Sequence, residues 1–145
     1  GNAWWIFNFP FKNLNEPVFV LTCDNITNIN FDLIEKDYFK KGKPECFLIP
    51  VKPVEKLEGD FIHRKKNIVT RLSRKIKSDI YCSGIQIVNP FKINRLIKNT
   101  NDFKYVWREL IKKKKLKVSD VLPKNWFTID NLRQLNIYKK KIYSK

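Results

Sequence analysis

The sequence predicts an α/β domain built on a mixed sheet, on three observations. Two short apolar runs, Pro17–Cys23 and Cys46–Val51, have the length and the Val, Ile and Phe content of strands buried on both faces. Between them, Phe31, Ile34, Tyr38 and Phe39 recur at helical spacing, so the order strand, helix, strand is that of a parallel crossover. Farther along, Asp60–His63 and Ile68–Leu72 flank the polar run Arg64-Lys65-Lys66-Asn67 as the two arms of a β-hairpin.

Each element has its own justification. The first strand stops at Asp24-Asn25, Asn30 offers a helix cap, and Gly42-Lys43-Pro44 ends the first helix. After the hairpin, Ile80–Val88 is the longest strand candidate and is closed by Asn89-Pro90. Pro90 suits the first turn of a helix whose apolar face is Phe91, Ile93, Leu96 and Ile97. A third helix starts near Asp102 and carries Phe103, Val106, Trp107, Leu110 and Ile111 on one face, with Lys112–Lys115 at its dipole-negative end. Leu116–Leu122 reads as a short strand, Pro123-Lys124-Asn125 as a turn and Trp126–Ile129 as a further strand. Asn131–Tyr138 then forms a short helix, and Lys139–Lys145 a basic tail. No internal repeat or low-complexity linker divides residues 1–145, which read as one domain.

Composition narrows the function. With 145 residues, 43% hydrophobic and 14% aromatic, the chain can bury a core and is not disordered. Its longest apolar stretches, Val18–Leu21 and Ile85–Val88, fall far short of the roughly 20 residues that cross a bilayer. Neither a membrane partner nor a signal peptide is indicated, and the expected compartment is the cytoplasm. Cys23, Cys46 and Cys82 are odd in number and widely spaced, which speaks against a disulfide framework or a zinc site. The net charge of +16 invites nucleic acid, but Lys far outnumbers Arg and the aromatic residues follow core periodicities. Nucleic acid is therefore not the expected partner, and a solvated basic surface accounts for most of the charge. The chain has no Met and opens on Gly1-Asn2-Ala3-Trp4-Trp5, which reads as a chain entered partway through a longer protein.

Asp24 follows the first strand, where ligands gather in open α/β sheets, and a carboxylate there can hold Mg²⁺ while the ion bridges phosphate oxygens. From position alone an Asp after a strand is more often a turn former or cap. Five segments in order resemble the sugar-phosphate nucleotidyltransferases, the pyrophosphorylases that make nucleoside-diphosphate sugars. Gly1-Asn2-Ala3 is similar to the end of that family's L-G-T-A motif, and Val18-Phe19-Val20-Leu21-Thr22-Cys23-Asp24-Asn25 to the strand that ends in its metal-binding Asp. Ile68–Lys75 is similar to the strand leading into E-K-P, and Cys82-Ser83-Gly84-Ile85-Gln86-Ile87-Val88-Asn89-Pro90 to N-x-G-I-Y-V-x-x-P. Trp126-Phe127-Thr128-Ile129-Asp130-Asn131 is similar to the closing W-x-D-x-G-T segment or its longer variant.

The resemblance implies a Rossmann-like, GT-A-like fold with flanking helices and a β-hairpin insertion, lacking its N-terminal strands. It implies transfer of a nucleotidyl group from a nucleoside triphosphate to a sugar 1-phosphate, giving an NDP-sugar and pyrophosphate, with Mg²⁺ as cofactor. Asp24 would be a catalytic metal ligand and Asp130 the second ligand. Lys75 would hold the sugar phosphate, Gly84 would admit the sugar, and Gly1 and Ala3 would face the nucleotide. The second metal position stays open between Thr128 and Asp130. Each assignment has a plain rival: solvation for Lys75 beside Arg71, Arg74 and Lys77, a bulge at Gly84, and capping of the last helix by Asp130.

Departures limit the resemblance. Arg74 stands where the family has the Glu of E-K-P, and Asn2 where it has Thr. No G-x-G-T-R…P-K nucleotide loop is present, so little turnover is expected of these 145 residues alone. A basic nucleic-acid module and a non-catalytic remnant of the same family are the alternatives, and a homo-oligomer is left open.

Overall fold

A computed structural model describes residues 1–55 and 57–143. Two 3₁₀ turns, Trp4–Phe7 and Phe11–Asn13, precede eight strands and four helices: β1 Val18–Val20, β2 Asn25–Asn28, α1 Phe31–Lys40, β3 Cys46–Val51, β4 Asp60–Lys65, β5 Ile68–Ser73, β6 Tyr81–Val88, α2 Pro90–Leu96, α3 Phe103–Lys112, β7 Leu116–Val118, β8 Lys124–Thr128 and α4 Leu132–Tyr143. Six strands form one sheet in the order β1-β6-β3-β7-β5-β4, and β2 and β8 pair separately.

β6 organises the sheet. β3 runs antiparallel along one edge of it. The other edge is shared, with β1 beside the C-terminal half (Val18 opposite Val88) and β4 beside the N-terminal half (Asp60 opposite Cys82). Because β4 also pairs with β5, β5 with β7 and β7 with β3, the hairpin is bound into a closed circuit of strands. Its turn is tight, with Lys66 in the left-handed region at φ 56°. β3 is buried throughout, and the period-2 alternation of a strand sends its side chains to two cores. Cys46 and Leu48 join α2 and α3 on one face, while Phe47, Ile49 and Val51 meet α1 and α4 on the other.

The helices start where their caps predict. Asn30, Asn89 and Asp102 accept from the backbone N–H groups of Leu33, Lys92 and Lys104, and Pro90 opens α2. α1 ends with Gly42 at φ 83°, and the N–H of Lys43 returns to the Tyr38 carbonyl at 3.1 Å. On α3, Val106 and Leu110 are fully buried, Phe103 and Trp107 nearly so. Inside, Gln86 Oε1 accepts from Trp107 Nε1 at 2.9 Å and from the Cys46 thiol, so the one buried amide of β6 is satisfied.

Several expectations need correction. The run Pro17–Cys23 forms only a three-residue strand, half-buried at the edge of the sheet and antiparallel to its neighbour. β1 and β3 do run in the same direction, but β6 lies between them, so apolar continuity reported a crossover and not a parallel pair. The strand expected over Leu116–Leu122 ends at Val118, because Ser119 turns the chain: its N–H donates to Leu48 O and its hydroxyl to Asp37. β2, a polar Asn-Ile-Thr-Asn segment, was read as a stop signal, and its strand depends on β8. β8 begins inside the expected turn at Lys124. α4 runs past Tyr138 to Tyr143, which takes in most of the expected basic tail; residues 144 and 145 lie outside the described residues. No helix among the described residues is long and apolar enough to cross a membrane.

Candidate active site

Pairing of β2 with β8 brings the two ends of the sequence together. Asn25 lies opposite Thr128, and one step farther Ile129 N–H donates to Asp24 O at 3.0 Å, so Asp24 and Asp130 arrive at the same rim. Thr128 Oγ1 donates to Asp24 Oδ2 at 3.2 Å across 104 positions of sequence. The Asp130 side chain lies near enough to the Asp24 carboxyl to help hold it low. Asp24 and Asp130 thus stand at one rim, with Thr128 beside them as a hydroxyl donor.

Asp24 is half-buried, and burial by itself pushes its carboxyl up. Hydrogen bonds from Thr22, from its own backbone N–H, from Asp130 and from Thr128 together outweigh that and hold it below the usual carboxylate range. Asp24 has no cationic partner among the described residues, so its charge is held by neutral donors and one acid.

Asn25 locks the floor of the site. Its amide nitrogen donates to the Thr22 hydroxyl and to Ser83 O at 3.3 Å, and its oxygen accepts from Trp126 Nε1. The Ser83 carbonyl is available because β6 breaks register there. Gly84 sits at φ 81°, the pairing with β3 shifts between Leu48 and Pro50, and the Ser83 hydroxyl takes the Ile49 carbonyl at 2.8 Å. A Cβ on Gly84 would stand 3.3 Å from Thr22 Cγ2, so the glycine serves both a left-handed backbone and a close approach by the chain that carries Asp24.

Asp130 does not cap α4. Asn131 does, accepting from Gln134 N–H at 3.0 Å, while the Asp130 N–H donates to the Gln134 side chain. That leaves the Asp130 carboxyl exposed at the mouth of a cleft of about 520 Å³ whose walls include Glu58, Arg74, Arg133 and Gln134. Lys75 is exposed on the turn after β5, where its N–H donates to the Ser73 hydroxyl; the cleft wall contains its neighbour Arg74. Gly1 and Ala3 are tied to the start of α3. Asn101 O lies 2.0 Å from where a Gly1 Cβ would sit and accepts from Ala3 N–H, and the Ala3 side chain is fully buried.

The donor set at the rim is two carboxylates and a hydroxyl. No three His, Cys, Asp or Glu gather at one place among the described residues. Hard oxygen donors in that number fit Mg²⁺, which keeps several waters and takes one or two carboxylates together with substrate phosphates. Residue-type reasoning missed Thr22, Asn25, Glu58 and Arg133. Asn25 was the most findable of these, as the neighbour of Asp24.

No protein-family profile matches the chain, and no curated protein matches it. Solved structures do. The chain superposes over its full length on the inositol-1-phosphate CTP transferase of T. maritima, with a TM-score of 0.70 at 17% identity, covering 62% of that chain. A glucose-1-phosphate thymidylyltransferase assigned in Bacillus anthracis, crystallised with sucrose, matches over 85% of this chain and 53% of its own, with a TM-score of 0.64 at 14% identity. A UDP-glucose pyrophosphorylase bound to UDP-glucose matches over 88% and 57%, with a TM-score of 0.58 at 16% identity. The Rossmann-like mixed sheet with flanking helices is thus a fold shared with these three solved structures. The chain spans between 53% and 62% of these three proteins.

Proposed function

We propose that the chain is part of an enzyme that transfers a nucleotidyl group from a nucleoside triphosphate to a sugar 1-phosphate. The observation that carries the reading is the meeting of Asp24 and Asp130 at a strand-end rim, without a cationic partner, beside a cleft with arginines in its wall. Two carboxylates without a cationic partner among the described residues are open to an added cation.

In the reaction, an oxygen of the sugar phosphate bonds to the α-phosphorus and the α–β bridging bond breaks, so that pyrophosphate leaves with the electron pair. Such chemistry depends on positioning and charge neutralisation and needs little from a protein base. Asp24 and Asp130 would hold Mg²⁺, which when bound neutralises phosphate oxygens. Thr22 and Thr128 keep Asp24 aimed and ionised. Gly84 keeps the floor beside Thr22 free of a side chain, and Lys75 is an outer cation that draws the sugar phosphate inward. Ala3 is buried to its backbone and donates its N–H to Asn101 O, so the proposed role toward the nucleotide is left to Gly1.

The test is pyrophosphate release by the full-length protein, supplied with Mg²⁺, a nucleoside triphosphate and glucose 1-phosphate or inositol 1-phosphate. Release that disappears in Asp24→Asn supports the reading; equal release by the variant rejects it. Nucleic-acid binding, the alternative that the charge suggests, predicts steep loss of affinity for an oligonucleotide with added salt.

A further inference from the structure

The outer edge of β5 opens after a single residue. On the side away from β4 it pairs with β7 only at Ile68, so residues 70–73 face no strand there. Hydrogen-bond alternation decides which backbone groups are left over. Ile62 N–H donates to Ile80 O at 3.0 Å, away from β5, so Ile62 and Leu72 form a pair without mutual hydrogen bonds. The N–H and C=O of Leu72 therefore point outward from the hairpin, along an open sheet edge.

That edge borders a groove of about 420 Å³ whose other wall is α3. Its apolar lining is Leu72, Trp107 and Ile111. Lys104, Arg108 and Lys112, one stripe of α3, line it with Arg71 of β5, and all four cations are exposed. Arg71 and Lys104 have no side-chain partner among the described residues, while Lys112 and Arg108 share Glu109 at 2.7 and 3.9 Å. Asp60, the acid of the groove, is matched by Arg74 at 3.5 Å. The groove is left cationic.

We propose that this groove docks an extended acidic peptide of a partner protein, which adds to the free edge of β5 as a strand. Strand addition supplies main-chain bonds at Leu72 and divides alternate side chains between two sides. One set meets the apolar lining and the other the cations. Cations four apart on α3 stand about 6 Å apart along the helix, close to the roughly 6.6 Å between alternate residues of a strand, so each can meet one carboxylate. A second copy of this chain is disfavoured as occupant, since the same edge of a copy brings cations against cations. Nucleic acid has no peptide backbone to complete a strand edge, and Trp107, only 9% exposed, offers no face for stacking a base. The groove lies on the α2 and α3 face of the sheet, whereas β8 and α4 pack on the other, so the proposal is independent of the nucleotidyl-transfer reading.

Fluorescence anisotropy with the full chain tests this, using a labelled peptide of alternating Glu and Val, the same peptide with Lys in place of Glu, and oligo-dT of equal charge. The Glu-Val peptide should bind, more weakly as salt rises, and the Lys-Val peptide should not. Lys104→Glu and Arg108→Glu should each weaken binding about fivefold. Both side chains are exposed, so the variants are expected to fold, which thermal melts check. N-methylation of alternate peptide residues should abolish binding in one set and spare it in the other. Amide hydrogen exchange at Leu72 should slow about tenfold with the peptide bound. No binding of the Glu-Val peptide, unchanged affinity in both charge reversals, or an unchanged Leu72 amide would each overturn the proposal. Oligo-dT bound more tightly than the peptide, and weakened by the same reversals, would overturn it in favour of nucleic acid.

Discussion

Two aspartates that end short strands, Asp24 after β1 and Asp120 after β7, are held in opposite ways. Asp120 is neutralised: the Lys41 ammonium beside it is the largest influence holding its carboxyl below the ordinary range, slight burial works against that, and Arg64 at 2.6 Å assists. Nearby, the Asp37 carboxylate takes the Ser119 hydroxyl and the Asp120 N–H, so this end of the molecule is a closed network joining α1, β4 and the β7 turn. Asp24 is also held low, yet by hydroxyls, its own N–H and a second acid, against burial. The contrast separates a carboxylate matched by cations from one matched by neutral donors and left open to an added cation.

Five substitutions break or sharpen that comparison. Asp24→Asn should lower kcat/KM for pyrophosphate release by about three orders of magnitude, the size of losing an essential charge-stabilising group. Because folding lowers the Asp24 carboxyl, its charged form is favoured in the fold, and the same substitution should cost a little stability above pH 3.8. Release near that of the unmutated protein, with only that small stability loss, would place Asp24 with Asp120 as a structural group. Asp130→Asn should cost about a hundredfold in the same assay. Trp126→Phe, which removes the indole donor to Asn25, should slow release by about tenfold through misaligned Asn25 and Thr22, a hydrogen bond's worth of positioning. Gly84→Ala forces a Cβ onto a left-handed residue beside Thr22 and should destabilise by about 1–2 kcal/mol in urea melts.

The smallest effect belongs to Asp120→Asn. Its side chain is 55% exposed, so the loss should stay under about 1 kcal/mol, with activity unchanged. The pH sign follows from the direction of the shift. A carboxyl lowered on folding stabilises above its unfolded value near 3.8, and that stabilisation is lost as pH falls through the lower folded value. Acid unfolding curves of Asp120→Asn should therefore approach those of the unmutated protein below pH 3.8 and diverge above it.

Local signals made much of this fold legible before any coordinates. Asn30 as a cap, Pro90 in a first helical turn, the unbroken apolar run of β3 and the helical stripe of α3 are all short-range, and each element formed where its residues indicated. Partnership was not legible. β2 is a polar tetrapeptide that becomes a strand only because β8 meets it, and β1 lost its expected interior place because pairing with β6 is decided by the whole sheet. At the site, Asp24 and Asp130 were readable through spacing that resembles known enzymes. Glu58 and Arg133 were not, since a loop acid and a helix-surface arginine have no local mark. Arg74 was noticed as a departure, and its place in the cleft wall gives that departure a chemical sense.

The most direct test of the shared rim is a carboxyl-carbon NMR titration of Asp24 and Asp130, with and without Mg²⁺. Asp24 titrating below 3.8, and both carboxyl signals moving at one Mg²⁺ concentration, are the predicted result. An Asp24 curve at or above 3.8, with neither signal disturbed by Mg²⁺, would contradict it.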